Sequence, residues 1–152
     1  GVDLSGGPDR GTIYINWIDQ RNGDLDVFVL ASRDGGESWE SPVRVNDDPV
    51  RNGKDQLFTW MAVDPEDGSV NIVFLDRRDT QGTTQRVTVA RSTDGGRTFA
   101  NTTVDQEAFS CADAGFYGDY LAIAAQAGMV VAAWPHCVAD ESLALSAAIF
   151  RY

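Results

Sequence analysis

Three features of the sequence predict an all-β fold made of β-propeller blades, each of four antiparallel strands. A turn sequence returns in register about 60 residues later, short runs rich in β-branched and aromatic residues are bounded by Gly, Asp, Asn and Pro, and no 3.6-residue apolar period is sustained. The repeat is visible residue by residue. Trp17-Ile18-Asp19-Gln20-Arg21 superposes on Phe74-Leu75-Asp76-Arg77-Arg78, and Ser32-Arg33-Asp34-Gly35-Gly36-Glu37-Ser38-Trp39 on Ser92-Thr93-Asp94-Gly95-Gly96-Arg97-Thr98-Phe99. The first pair is offset by 57 positions and the second by 60, so the intervening turn is three residues longer in the second copy. A third copy begins downstream: Tyr120 precedes Trp134 by 14 positions, as Trp60 precedes Phe74, and Gly68 and Gly128 take the same place in a turn.

In the first copy the strand-like runs are residues 12–17, 26–31 and 42–45, and in the second they are 57–63, 70–74, 86–90 and 102–104. Asn22-Gly23 and Asp67-Gly68 fall between consecutive runs, where tight hairpins favour residues that tolerate positive φ. The Ala-rich residues 122–127 have helical propensity, but their place in the repeat reads as strand and turn. A β-sandwich is the alternative architecture; a Greek key has no reason to return the same turn in register, which favours blades. The copies divide the chain into blades at 1–49, 50–108 and 109–152. Of the first blade's innermost strand only Val2 and Asp3 remain, and the third blade stops near Tyr152, where its own turn motif is due. Two and a half to three blades do not close a ring, and an open arc leaves strand edges and apolar faces in water. The sequence therefore predicts completion by self-association or by an upstream propeller segment.

With 152 residues and 43% hydrophobic content, the chain can bury the core of one domain. Its 12 Lys+Arg against 23 Asp+Glu give a formal net charge of −11, which argues against nucleic acid and anionic membrane surfaces as partners. No apolar run approaches the ~18 residues of a spanning helix. The opening GVDLSGGPDRG lacks the features of a signal peptide, so the chain reads as soluble, with any export signal outside it. Cys111 and Cys137 stand 26 positions apart, too far for a redox pair and without the His and Cys company of a zinc site. They are either a disulfide or two buried thiols. The disulfide, the expected state, stabilises by roughly 3 kcal/mol on the chain-entropy model and places the protein outside the cytoplasm, secreted or extracytoplasmic. No cofactor is expected. Calcium at Asn46, Asp47 and Asp48 is the metal reading considered, although those residues lack the alternating-acid spacing of a calcium loop.

The recurring turn between third and fourth strands has a direct physical reading. Asp34 and Asp94 accept hydrogen bonds from turn N–H groups, Gly36 and Gly96 supply positive φ, Ser32 and Ser92 tie down the other side, and Trp39 and Phe99 pin the hairpin to its blade. This run resembles the Asp-box of sialidases and other bacterial neuraminidase-repeat propellers, with Ser38 where Thr98 has the usual residue. Arg44-Val45-Asn46-Asp47-Asp48-Pro49, Asp55-Gln56-Leu57-Phe58-Thr59-Trp60, Phe74-Leu75-Asp76-Arg77-Arg78-Asp79 and Gly118-Asp119-Tyr120 extend the resemblance over nearly the whole chain. It is similar to the C-terminal part of secreted bacterial proteins of the exo-α-sialidase-like kind. The resemblance implies Asp-boxes at the blade periphery, away from the mouth where substrates bind, in enzymes and non-enzymes alike, so it speaks for fold and not for chemistry.

A sialidase site would need three arginines for a substrate carboxylate, a Tyr nucleophile activated by Glu, and an Asp acid/base. The chain lacks the Arg-Ile-Pro signature of that family, and its five glutamates, Glu37, Glu40, Glu66, Glu107 and Glu141, give no Tyr an obvious partner. A complete sialidase site is therefore not expected. Asp19-x-Arg21 and Asp76-x-Arg78 recur where the second strand ends, either as intrablade ion pairs or with Arg78 facing a central pocket. Asp119 and Tyr120 precede the inner strand of the third repeat, where pocket-lining loops emerge, and are either ligand contacts or turn-capping and packing residues. His136 reads as a packing residue, and Asn101-Thr102-Thr103 fits an N-glycosylation sequon. The expected function is a non-catalytic propeller module for ligand binding, a glycan by resemblance, or for assembly. The alternative is a part of a secreted sialidase-like glycoside hydrolase.

Overall fold

The computed structural model describes residues 1–104, 107–111, 120–138 and 142–152. Asp119 and Glu141 lie outside the described residues. Three antiparallel sheets follow one another along the chain, with no helix among the described residues. The first contains β1 (Ile13–Asp19), β2 (Asp26–Ser32) and β3 (Val43–Arg44), and Val2 bridges Ile13 on its open side. The second is β4 (Gln56–Val63), β5 (Val70–Asp76), β6 (Arg86–Ser92) and β7 (Ala100–Thr103), paired in chain order. The third is β8 (Ala122–Gln126), β9 (Met129–Cys137) and β10 (Leu143–Arg151). This is a partial β-propeller, as the repeat predicts. β1, β2, β5 and β6 each run one or two residues past the C-terminal end of their sequence runs, whereas the run at 42–45 contracts to β3, a two-residue pairing.

The sheets stack face to face around two cores. Tyr14, Val27 and Val29 from the first sheet meet Ile72, Phe74 and Ala90 from the second. Val73, Leu75, Val87 and Val89 on the opposite face of the second sheet meet Ile123, Val130, Ala132 and Trp134 of the third. Because β5 is covered on both faces, its whole run from Val70 to Asp76 is buried, which explains why Ile72 to Leu75 are all apolar where a half-exposed strand would alternate. β10 does alternate, exposed and partly buried, because only one of its faces is covered. The inner strands crowd together, with β4 in contact with β1, β2 and β8.

The turns carry the conformations the sequence calls for. Gly68 and Gly128, equivalent in the repeat, have φ of 72° and 73°. A Cβ at Gly68 would lie 2.8 Å from Asp3 Oδ2 and 2.9 Å from Ser5 Oγ, so the position excludes side chains on two grounds. Cys111 and Cys137 are joined in a disulfide, Cα to Cα 5.4 Å, fastening the segment before β8 to the end of β9. One packing expectation fails. Phe99 leans into the first core, but Trp39, its repeat counterpart, remains 41% exposed.

Candidate functional site

At the inner edge of the arc, β4 carries a β-bulge between Leu57 and Trp60, and Phe58 sits there at φ 47°. A positive φ is uncommon for an aromatic residue and marks a backbone held by its surroundings. Asn16 Nδ2 donates to Thr59 Oγ1 at 2.8 Å, tying the bulge to the neighbouring sheet. The bulge leaves Trp60 49% exposed, and its ring meets that of Tyr120 edge-on, centroids 6.2 Å apart and planes at 80°. Tyr120 is 73% exposed. The two aromatics hold the same repeat position on adjacent blades.

Tyr120 was a candidate from its sequence position; Trp60 was not, although its equivalence to Tyr120 is the signal that points to it. Arg78 is engaged elsewhere. Its Nε donates to Asp76 Oδ2 at 2.6 Å, one Nη donates to Asp47, and the other donates to Asn101 Oδ1 at 3.0 Å. It clamps the loop after the first sheet to β5 and β7 of the second. The equivalent Arg21 pairs with Asp19 at 2.6 Å and lies over the rings of Phe28 and Trp17, and its hydrogen bonds hold the Asp19 carboxyl far below the usual carboxylate range. Asn101 Nδ2 donates to Val45 O, so the nitrogen of the sequon is in use within the fold.

The calcium reading is likewise displaced by hydrogen bonding. Asn46 Nδ2 lies 2.7 Å from Asp26 Oδ1, 2.7 Å from Asp48 Oδ1 and 2.6 Å from Gln56 Oε1, while its Oδ1 accepts from Val27 N. Arg44 supplies further donors to Asp26 and Asp48, and Asn52 to Asp48. Asn46 turns a nitrogen, not an oxygen, toward these carboxylates, and no group of His, Cys, Asp and Glu among the described residues is arranged to hold a metal ion. The cluster is a buried polar lock between the first two sheets.

At the opposite end of the blades, the two recurring turns share one hydrogen-bond scheme. Asp34 Oδ1 accepts from Ser32 Oγ and Ser38 N, and Asp94 Oδ1 from Ser92 Oγ and Thr98 N. Ser32 Oγ accepts from Gly36 N, and Ser92 Oγ from Gly96 N. The hydrogen bonds from Ser38 and Ser32 hold the Asp34 carboxyl down at about 2. Burial opposes ionisation of Asp94, but Thr98, Ser92 and Arg97 outweigh it, again to about 2. These carboxylates are fixed acceptors, not acids or bases poised for neutral pH.

A pocket of about 720 Å³ opens beside the disulfide, lined by Glu107, Phe109, Trp134, His136 and Ser146 among others. The His136 ring meets Phe109 edge-on at 5.7 Å, which is the packing role expected of it.

Comparison with known proteins places the fold. No protein-family model and no curated protein matches the chain. Solved structures do. An α-L-arabinanase of Penicillium chrysogenum, complexed with arabinobiose, superposes with a TM-score of 0.68 at 14% identity, over 93% of this chain and 43% of the arabinanase. The Hadza microbial sialidase Hz136 gives 0.62 at 16% identity, over 97% of this chain and 34% of the sialidase. A protein of unknown function from Dyadobacter fermentans DSM 18053 gives 0.51 at 22% identity, over 95% and 35%. The chain thus spans less than half the length of each. Its fold is that of a sialidase-like or arabinanase-like propeller.

Proposed function

We propose that this chain is a glycan-binding propeller module that contacts its ligand through Trp60 and Tyr120 and holds it without cleaving it. The observation that carries this reading is the exposed aromatic pair at equivalent inner-edge positions of neighbouring blades. A sugar ring presents C–H groups on its faces and hydroxyls around its rim, so it stacks on an aromatic face while the indole N–H and phenol O–H meet its hydroxyls. The net charge of −11 favours a neutral glycan over a sialylated one. The turns that resemble Asp-boxes serve as structural locks, and Arg78 belongs to an interblade clamp. The disulfide is compatible with an extracellular protein.

Binding of neutral oligosaccharides, arabino-oligosaccharides included, and of sialyllactose is to be measured on an array and by calorimetry. Neutral ligands should bind, and Trp60→Ala and Tyr120→Ala should each weaken binding at least tenfold, about 1.4 kcal/mol, without altering the melt. Unchanged binding in both variants would sink the reading. A second reading, part of a sialidase-like glycoside hydrolase, draws on the arabinanase and sialidase likenesses. Release of fluorophore from an arabinoside or a sialoside would favour it over simple binding.

A further inference from the structure

Trp17, Phe74 and Trp134 hold one place in the repeat, so Asn16, Val73 and Ala133 hold the place before it. The register agrees, with Asn16 opposite Val29, Val73 opposite Val89 and Ala133 opposite Ala147. Position 16 is where the first sheet departs from its counterparts. Val73 is fully buried in the core between the second and third sheets. Asn16 instead puts an amide on the corresponding stripe, between Tyr14 and Ile18, which both pack into the core between the first and second sheets. An amide in such a place costs free energy unless it is hydrogen-bonded. The side-chain bond it makes crosses the interface to Thr59 Oγ1 of β4, at 2.8 Å.

Thr59 is part of the bulge that shapes the aromatic pair. Leu57 pairs with Leu75 and Trp60 with Val73, so Phe58 and Thr59 together face the single residue Phe74. A bulge re-aims a neighbouring side chain, here the indole of Trp60, which meets Tyr120 edge-on. Phe58, at φ 47°, keeps its left-handed backbone only while its surroundings hold it there. Asn16 supplies part of that hold from the neighbouring sheet. We propose that Asn16 is a positioning residue for the ligand contact at Trp60, standing where the repeat has an apolar residue because its bond to Thr59 fixes the bulge. The proposal rests on the glycan reading for what Trp60 contacts, and not for how Trp60 is held.

The test compares Asn16→Val, which restores the residue of the second sheet, with Thr59→Val and Asn16→Asp in the full chain. Near-ultraviolet circular dichroism without ligand reads the Trp60 environment as the band that Trp60→Phe removes, and calorimetry with arabino-oligosaccharides reads affinity. Asn16→Val and Thr59→Val should each lose the band and weaken binding about tenfold. Asn16→Val should nevertheless melt no lower than the wild type, because valine suits the apolar stripe. Asn16→Asp should keep both band and affinity, since the Thr59 hydroxyl can donate to a carboxylate. The two valine substitutions combined should do no more than either alone. A lowered melting temperature with the band intact would make Asn16 merely structural, and effects that add would uncouple it from Thr59; either result overturns the proposal. A wild type that binds no arabino-oligosaccharide, with the band responding as expected, would count against the glycan reading and leave the hold of Asn16 on Trp60 standing.

Discussion

Two kinds of carboxylate govern this molecule at the scale of single residues. Asp34 and Asp94 each replace absent turn hydrogen bonds with their own, and are held at about 2 by doing so. Their unfolded value is near ~3.9, so the depressed folded value means their contribution is complete above that pH and is lost as the pH falls toward 2. Asp94→Asn should lower the melting temperature at neutral pH and flatten the acid limb between about pH 4 and 2; an acid limb as steep as that of the wild type would refute this. Asp26, Asp48 and Gln56 instead meet at the buried Asn46 amide. Asn46→Leu leaves Gln56 Oε1 and the Val27 N–H without the Asn46 amide, away from water, and should cost about 3 kcal/mol in urea titration. A loss under about 1 kcal/mol would mean that the remaining donors re-pair.

At the scale of elements, local chemistry was legible and convergence was not. The turn motif announced its hydrogen bonds because Ser, Asp and Gly act on their own backbone within four residues. The run at 70–74, rich in β-branched and aromatic residues, announced a strand, and its place in the repeat announced the blades. The Arg78 contacts with Asp47 and Asn101 span 31 and 23 residues, and nothing in the spacing of those residues records them. Trp60 escaped notice for a related reason: its exposure depends on the bulge at Phe58, a backbone feature held by Asn16 of another sheet. The third sheet rests on the second partly through Asp64, whose buried carboxylate accepts from Ala127 N at 3.1 Å and Gly128 N at 2.8 Å. The disulfide joins this sheet's end to the preceding segment, closing a loop of 26 positions. Reduction should lower stability by roughly 3 kcal/mol, a drop of about 10 °C for a domain of this size. Equal melting temperatures with and without reductant would show that packing and the Asp64 hydrogen bonds hold the third sheet without the disulfide.

At the scale of the whole molecule, charge decides which ligands can approach. The chain carries −11, so it repels an anionic ligand over distances that low salt leaves unscreened. The Debye length falls from about 30 Å at 0.01 M to about 8 Å at 0.15 M. Raising ionic strength over that range should therefore strengthen any binding of sialyllactose, which calorimetry reads as a fall in Kd. Neutral glycan binding at Trp60 and Tyr120 should not change with it, since stacking involves no net charge on the ligand. The two dependences separate the forces at work: neutral glycan binding that weakens as salt rises would mean that charged groups, and not the exposed rings of Trp60 and Tyr120, hold the ligand.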